Sequence, residues 1–340
     1  MTPPNHLHEV TVAALITGYD QHWGPTQSQW LTTEVEKSFA IRLINPSTGK
    51  RSRTFLHAGK IDALAEKDGD KYLIEHKTTS DGIDEPSSPY WRRLSIDTQI
   101  NGYMLAGAVS GVQIKGCLYD VIRKPEIRPK KLTMKEVSQL NVNLTYLDEP
   151  IDADDVRDLK LDPEYRETPN LYAIRLLKDI GSRPGWYFQR KLIYLSAKDI
   201  EEYAQELWLD AEDIRISRTQ GDIRRNAQAC NNFGRACEYL DLCSHGDSSK
   251  LIQIGVKHPE LNLETDSDDL LTNTRINTFR TCRRKHHYRY ELALAAQEPS
   301  EALTFGDLVH QHLAHWWDQW RQPVTAHVPE PHRNGQALHA

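Results

Sequence analysis

Residues 61–80 read IDALAEKDGDKYLIEHKTTS, two runs of alternating residues around an Asp68-Gly69 pair. An Asp-Gly dipeptide between such runs is a strong signal for a two-residue hairpin turn. With those residues as the loop, Lys67 faces Asp70 and, rung by rung, Asp62 lands opposite Glu75, their Cβ atoms roughly 4.5 to 5.5 Å apart. Alternation puts Lys77 on the face of Glu75, and Ile61, Ala63, Tyr72, Ile74 and His76 on the other. Facing carboxylates destabilise a bare hairpin, so a cation between them is the first functional expectation. The competing reading is a pair of ordinary solvated strand positions screened by Lys77. A three-residue loop would instead send Asp62 to the face opposite Glu75.

The chain has 340 residues, 39% of them apolar, enough for one large or two ordinary domains with a real core. A net charge of −6 excludes a globally basic nucleic-acid coat, so any such contact must come from a local patch. No run of about 18 apolar residues exists, and MTPPNHLHEV lacks the regions of a signal peptide. The expectation is a soluble, cytoplasmic protein without membrane contact. Five cysteines in a reducing compartment are expected free, catalytic or metal-bound rather than paired.

Apolar periodicity predicts a helix over 8–23, ended by Gly24-Pro25. Strands are expected over 34–43, 55–67, 70–78 and 114–122, with a helix over about 95–109. From about 133 to 218 the pattern is a charged helical insertion, broken by a strand within 186–195. Residues 1–250 thus read as an α/β core with that insertion and a Cys-rich segment at 230–243. Residues 251–269 read as a linker, 270–320 as further helices, and 321–340 as a disordered tail.

Gln99 and Tyr103 share one face of the helix that follows the hairpin. By spacing alone they are a surface or core contact; beside the hairpin they could bond phosphate oxygens or orient Lys77. Taken with the hairpin, "GKIDALAEKDGDKYLIEHKTT" followed by "DTQINGYMLAG" resembles the PD-(D/E)XK nuclease superfamily, in its RecB-like branch. Asp62, Glu75, Lys77, Gln99 and Tyr103 match its strand Asp, Glu-x-Lys and Gln-x-x-x-Tyr. The resemblance implies a restriction-endonuclease-like α/β core, with a central mixed sheet flanked by helices. It also implies Mg²⁺ or Mn²⁺ on the two acids, and a lysine that positions or activates water. Hard oxygen ligands suit Mg²⁺, and a divalent ion with an ammonium neutralises charge developing on the phosphoryl oxygens.

Downstream, "CNNFGRACEYLDLC" places Cys230, Cys237 and Cys243 close in sequence. A fourth thiol would come from Cys282 in "RINTFRTCRRKHHYRY", since Cys117 lies in an apolar strand and reads as a buried hydrophobe. The chain is similar here to AddB-type and CRISPR-associated exonuclease-like members with an iron-sulfur cluster, which implies a structural 4Fe-4S centre on these four residues. Zinc on four thiolates, or free cysteines, are the rival readings.

"ALTFGDLVHQHLAHWW" resembles the family's Gly-x-x-x-His helix, with Gly306 and His310 in the matching places and the histidine joining the metal site. Between the motifs, Arg283 and Arg284 stand in a run of cations and aromatics that suits single-stranded nucleic acid. The alternative is a helix that packs Tyr288 and Tyr290 inward. Arg123 and Lys124 in "VIRKP" are further candidate phosphate contacts.

In the family the Cys and Gly-x-x-x-His helices precede the acid motifs; here they follow them. A circular permutation completing one site accounts for this. A truncated second copy from about Asn273, or a reading frame opened at an unnatural point, are the alternatives. The expected activity is a metal-dependent DNA exonuclease acting on ends or single strands, in phage or prophage recombination by analogy. A homo-oligomer or a recombination-protein partner is compatible with this. The competitor is a noncatalytic DNA-binding or assembly module that keeps the fold.

Overall fold

The Asp68-Gly69 turn forms as expected, both residues taking the positive φ of a type I′ turn, 54° and 82°. It joins β2 (Arg51–Lys67) to β3 (Asp70–Thr79), with Lys67 paired to Asp70 and Ala63 to Ile74. The computed structural model describes residues 4–232, 234–255, 257–258, 261, 269–298 and 301–321.

The sheet order is β1-β2-β3-β4-β5, where β1 is Leu31–Ile44, β4 is Gly116–Arg123 and β5 is Phe188–Ile193. Only β3 and β4 run parallel in this path. The two-residue strand β6 (Leu270–Leu271) adds in parallel to β2 at Leu56 and His57. This is a mixed sheet, and the α/β architecture expected from sequence is present.

Helices cover both faces. On one lie α1 (Pro4–Gln27), α3 (Pro169–Ser182) and α6 (Glu301–Asp318), whose Leu15, Leu176, Val309 and Trp317 pack with Ala63, Ile74 and Ile122. On the other lies α2 (Thr98–Val109), whose Ile100 and Tyr103 pack with Leu73, Cys117 and Val121. Asp97 caps α2 by accepting the N–H groups of Gln99 and Ile100. A third cluster joins α4 (Ala197–Gln220) and α5 (Asn273–Thr281) to the edge of the sheet through Tyr203, Leu207, Leu271 and Ile276.

Four expectations change. The first helix does not end at Gly24-Pro25 but runs to Gln27, whose buried amide oxygen accepts from Arg190 at 3.1 Å. That buried bond holds the last turn, where proline removes a single intrahelical bond. Ile61 does not join Ala63 and Ile74; it packs with Leu73 and Tyr103 on the other face. The alternation fails because β1 pairing skips the position opposite Asp62, where Glu36 turns to φ 54°. Part of the expected linker, Leu251–Gln253, is a strand paired with Leu294–Ala296. Of the expected tail, Arg321 bridges to Thr32 and the remainder lies outside the described residues.

Candidate active site

β2 and β3 part company just where the acids stand. Their last rung is Ala63 to Ile74, and beyond it the His76 N–H donates to Asp62 Oδ2 at 2.7 Å. A side-chain carboxylate thus takes the place of a backbone carbonyl, satisfying a buried donor as the strands splay. The gap opened along β2 is filled from the C-terminal part of the chain, where β6 adds to β2 and α5 and α6 follow.

Asp62 is 8% exposed and Glu75 fully buried. From α6, His310 Nδ1 stands 3.5 Å from Asp62 Oδ1. From β3, the Lys77 ammonium donates to Glu75 Oε1 and, at 2.9 Å, to Gln99 Oε1. Gln99 Nε2 donates to the Tyr103 hydroxyl at 2.8 Å, and that hydroxyl donates to the Lys60 carbonyl at 2.6 Å. Gly59 lets this chain close, since a Cβ there would lie 3.0 Å or less from the rings of Phe39 and Tyr103. The motif residues thus form two contact groups, Asp62 with His310 and Glu75 with Lys77, Gln99 and Tyr103, close enough for their charges to act on one another. The Gln99 amide thus lies between the Lys77 ammonium and the Tyr103 hydroxyl.

Burial alone would raise the Asp62 pKa, but the hydrogen bond and charge of His310, with His76 and Lys77, hold it well below the usual carboxylate range. Burial pushes the Glu75 carboxyl up, Lys77 opposes this in part, and the Asp62 charge adds to the rise. For Lys77 and His310 burial is outweighed by the acids, so both are raised. The Glu75 carboxylate is the under-neutralised member: its Oε2 is buried with no hydrogen-bond partner among the described residues. An orphaned carboxylate oxygen beside a second acid is a donor set that fits a hard divalent cation. Among the described residues, however, no three His, Cys, Asp or Glu side chains are already drawn together to hold a metal ion. Asp62 and His310 open onto a cleft of about 710 Å³, lined also by Glu36, Lys60, Gln99 and Asn273.

Sequence reasoning missed the polar cluster behind the site. Buried Asp120 accepts from Tyr19 and, at 3.1 Å, from Arg190, and its Oδ2 lies 3.5 Å from His76 Nδ1. A lone Asp within the apolar strand GCLYDVIR was the available signal. Glu36, Lys60 and Asn273 left no such mark.

Cys230, Cys237, Cys243 and Cys282 line one small cavity, with Tyr239 and Tyr288 beside them, whereas Cys117 is buried in the core, as its apolar strand suggested. Gly306 is not forced by packing, since a Cβ there would meet only Thr78 Oγ1, at 3.9 Å. Tyr288 and Tyr290 pack inward. Arg283 is paired with Asp222, and Arg284 donates to the Ile223 carbonyl at 2.7 Å. Arg123 donates to Glu126 at 2.8 Å and stacks on Trp186. Lys124 alone of these four cations has neither an acid nor a carbonyl partner among the described residues; its ammonium lies over the Phe305 ring.

No curated protein and no solved structure matches the chain. Residues 271–339, which include α5, Cys282 and His310 but none of the acid motifs on β2 and β3, match the family model of the PD-(D/E)XK nuclease superfamily.

Proposed function

We propose that this chain is a metal-dependent deoxyribonuclease, an exonuclease acting on DNA ends or single strands. The observation that carries the reading is the placing of the Asp62–His310 and Glu75–Lys77 pairs beside one cleft, with a buried Glu75 oxygen that has no partner among the described residues. Asp62 and Glu75 would hold Mg²⁺ or Mn²⁺, and His310 assists from α6. When bound, that ion supplies charge neutralisation at phosphoryl oxygens and acidifies water. Lys77 carries a fixed positive charge to the same place and orients the attacking water; Gln99 and Tyr103 hold its ammonium there. The approach of His310 to Asp62 within one chain supports a circular permutation over a split site. A role in phage or prophage recombination rests on family analogy alone.

Cys230, Cys237, Cys243 and Cys282 are assigned to a structural 4Fe-4S cluster, supported by their shared cavity. Anaerobic purification tests this: a brown protein with iron and sulfide is expected, and a colourless one holding zinc overturns it.

A second reading, a noncatalytic DNA-binding module, is favoured by the lack of a drawn-together metal ligand set among the described residues. Assaying Lys77→Ala beside the parent on end-labelled DNA with Mg²⁺ or Mn²⁺ separates the two. A parent at least 100-fold more active supports the nuclease; equal activity, or none in either, supports the module.

A further inference from the structure

A second cleft, of about 650 Å³, lies beside the C-terminal ends of β3 and β4. Its wall includes Ser80, Lys124, Arg128, Tyr172, Arg235 and Phe305. Ser80 stands three residues past Lys77, roughly 10 Å of extended chain, and the Lys124 N–H donates to the Thr79 carbonyl at 2.7 Å. Phe305 is on α6, one to two turns before His310. The cleft is thus built from the same strand ends and helix as the acid site.

Its charge is unusual for a chain of net −6. Among the described residues, Lys124, Arg128 and Arg235 have no ion pair, and Glu126, the acid on this wall, is taken by Arg123. Lys124 is half-buried, and its pKa is lowered by that burial and by the charge of Arg235. Three uncompensated cations in a concave wall attract a polyanion far more than the same charges dispersed. Tyr172 and Phe305 are buried, so they offer no platform for base stacking. What remains is phosphate recognition without sequence readout.

Arg235 reaches the cleft on a short pair of strands, Asn231–Asn232 and Arg235–Ala236, flanked by Cys230 and Cys237; the Cys237 N–H donates to the Cys230 carbonyl at 2.8 Å. Whatever fixes those two thiols also fixes the arginine.

We propose that Lys124, Arg128 and Arg235 form a phosphate track that holds a nucleic-acid strand as it passes the acid site, with the cysteine-flanked strand pair as one wall. This rests on the nuclease reading and extends it to the path of the substrate. The test is binding of the full chain to fluorescent single-stranded and duplex DNA in EDTA, by anisotropy across a salt series. Replacing all three cations (Lys124→Gln, Arg128→Gln, Arg235→Gln) is expected to weaken binding about 10- to 100-fold. It should also flatten the log-log salt slope by about 2 on single strands, at about 0.7 per lost phosphate contact. A larger loss on one substrate than on the other identifies the strand form the track takes. Unchanged affinity and slope overturn the proposal, as does a parent that binds neither DNA. If the triple variant fails to fold by circular dichroism, Arg235→Gln alone, at an exposed position, should still lower the slope by about 0.7; no change overturns it. Because no metal is present, the result is independent of the Lys77→Ala cleavage comparison, which judges the nuclease reading.

Discussion

Asp62 accepts the His76 backbone N–H at 2.7 Å, one step past the last rung between β2 and β3. One oxygen of the carboxylate closes the sheet while the other faces His310. Structure and chemistry therefore depend on different atoms of one side chain, and two substitutions can separate them.

Asp62→Asn keeps an acceptor for His76 but loses the charge beside His310. Its thermal midpoint should stay near the parent's, while Mn²⁺ affinity, read by titration calorimetry, falls at least 10-fold. Asp62→Ala removes the acceptor too and should cost a further 1 to 3 kcal/mol or so in urea unfolding, the usual penalty for a buried unsatisfied donor. Equal stability of the two variants would show that the bond to His76 contributes nothing.

Tyr103→Phe removes the donor to the Lys60 carbonyl and the acceptor for Gln99. The ring still packs against Gly59 and Phe39, so the loss should be about 1 to 2 kcal/mol in urea unfolding. Cleavage should fall because Lys77 loses the support of Gln99. A variant as stable and as active as the parent would mean that the chain from Lys77 to Lys60 plays no part.

Buried His57 has its pKa lowered to about 4, chiefly by desolvation and against the pull of its backbone hydrogen bonds. The unfolded chain binds its proton near pH 6.5, so the neutral folded form is favoured above that value and loses stability as pH falls towards 4. At pH 5 the cost from this group is about 2 kcal/mol. His286, lowered to about 2 by burial and by Arg275, acts in the same direction. The urea midpoint should drop between pH 7 and pH 5, and by less in His57→Gln. An equal drop in both would remove His57 as a cause.

The Asp-Gly turn made the hairpin register legible from Lys67–Asp70 to Ala63–Ile74, because a two-residue loop leaves one way to pair the flanking strands. The expected Asp62–Glu75 rung does not form, since the strands part there and Asp62 accepts the His76 N–H instead. The four-residue spacing of Gln99 and Tyr103 was legible for the same kind of reason, one helical face. The Ile61 error shows the limit of such rules. Alternation holds only where both neighbours continue the ladder, and Glu36 interrupts it. The cations of "RKP" and "CRRK" read alike in sequence, yet Arg283 meets Asp222, about 60 residues away, while Lys124 meets no acid among the described residues.

The sequence by itself determined the α/β class, the hairpin register and the residue types able to grip a cation, since turn chemistry and side-chain period are local properties. Only the tertiary structure decided that His310 and β6 return to the splayed edge of β2, that Glu75 Oε2 has no partner among the described residues, and which cations are neutralised. Those outcomes depend on which distant surfaces meet, and the spacing of residues along a chain does not encode the free energy of that meeting.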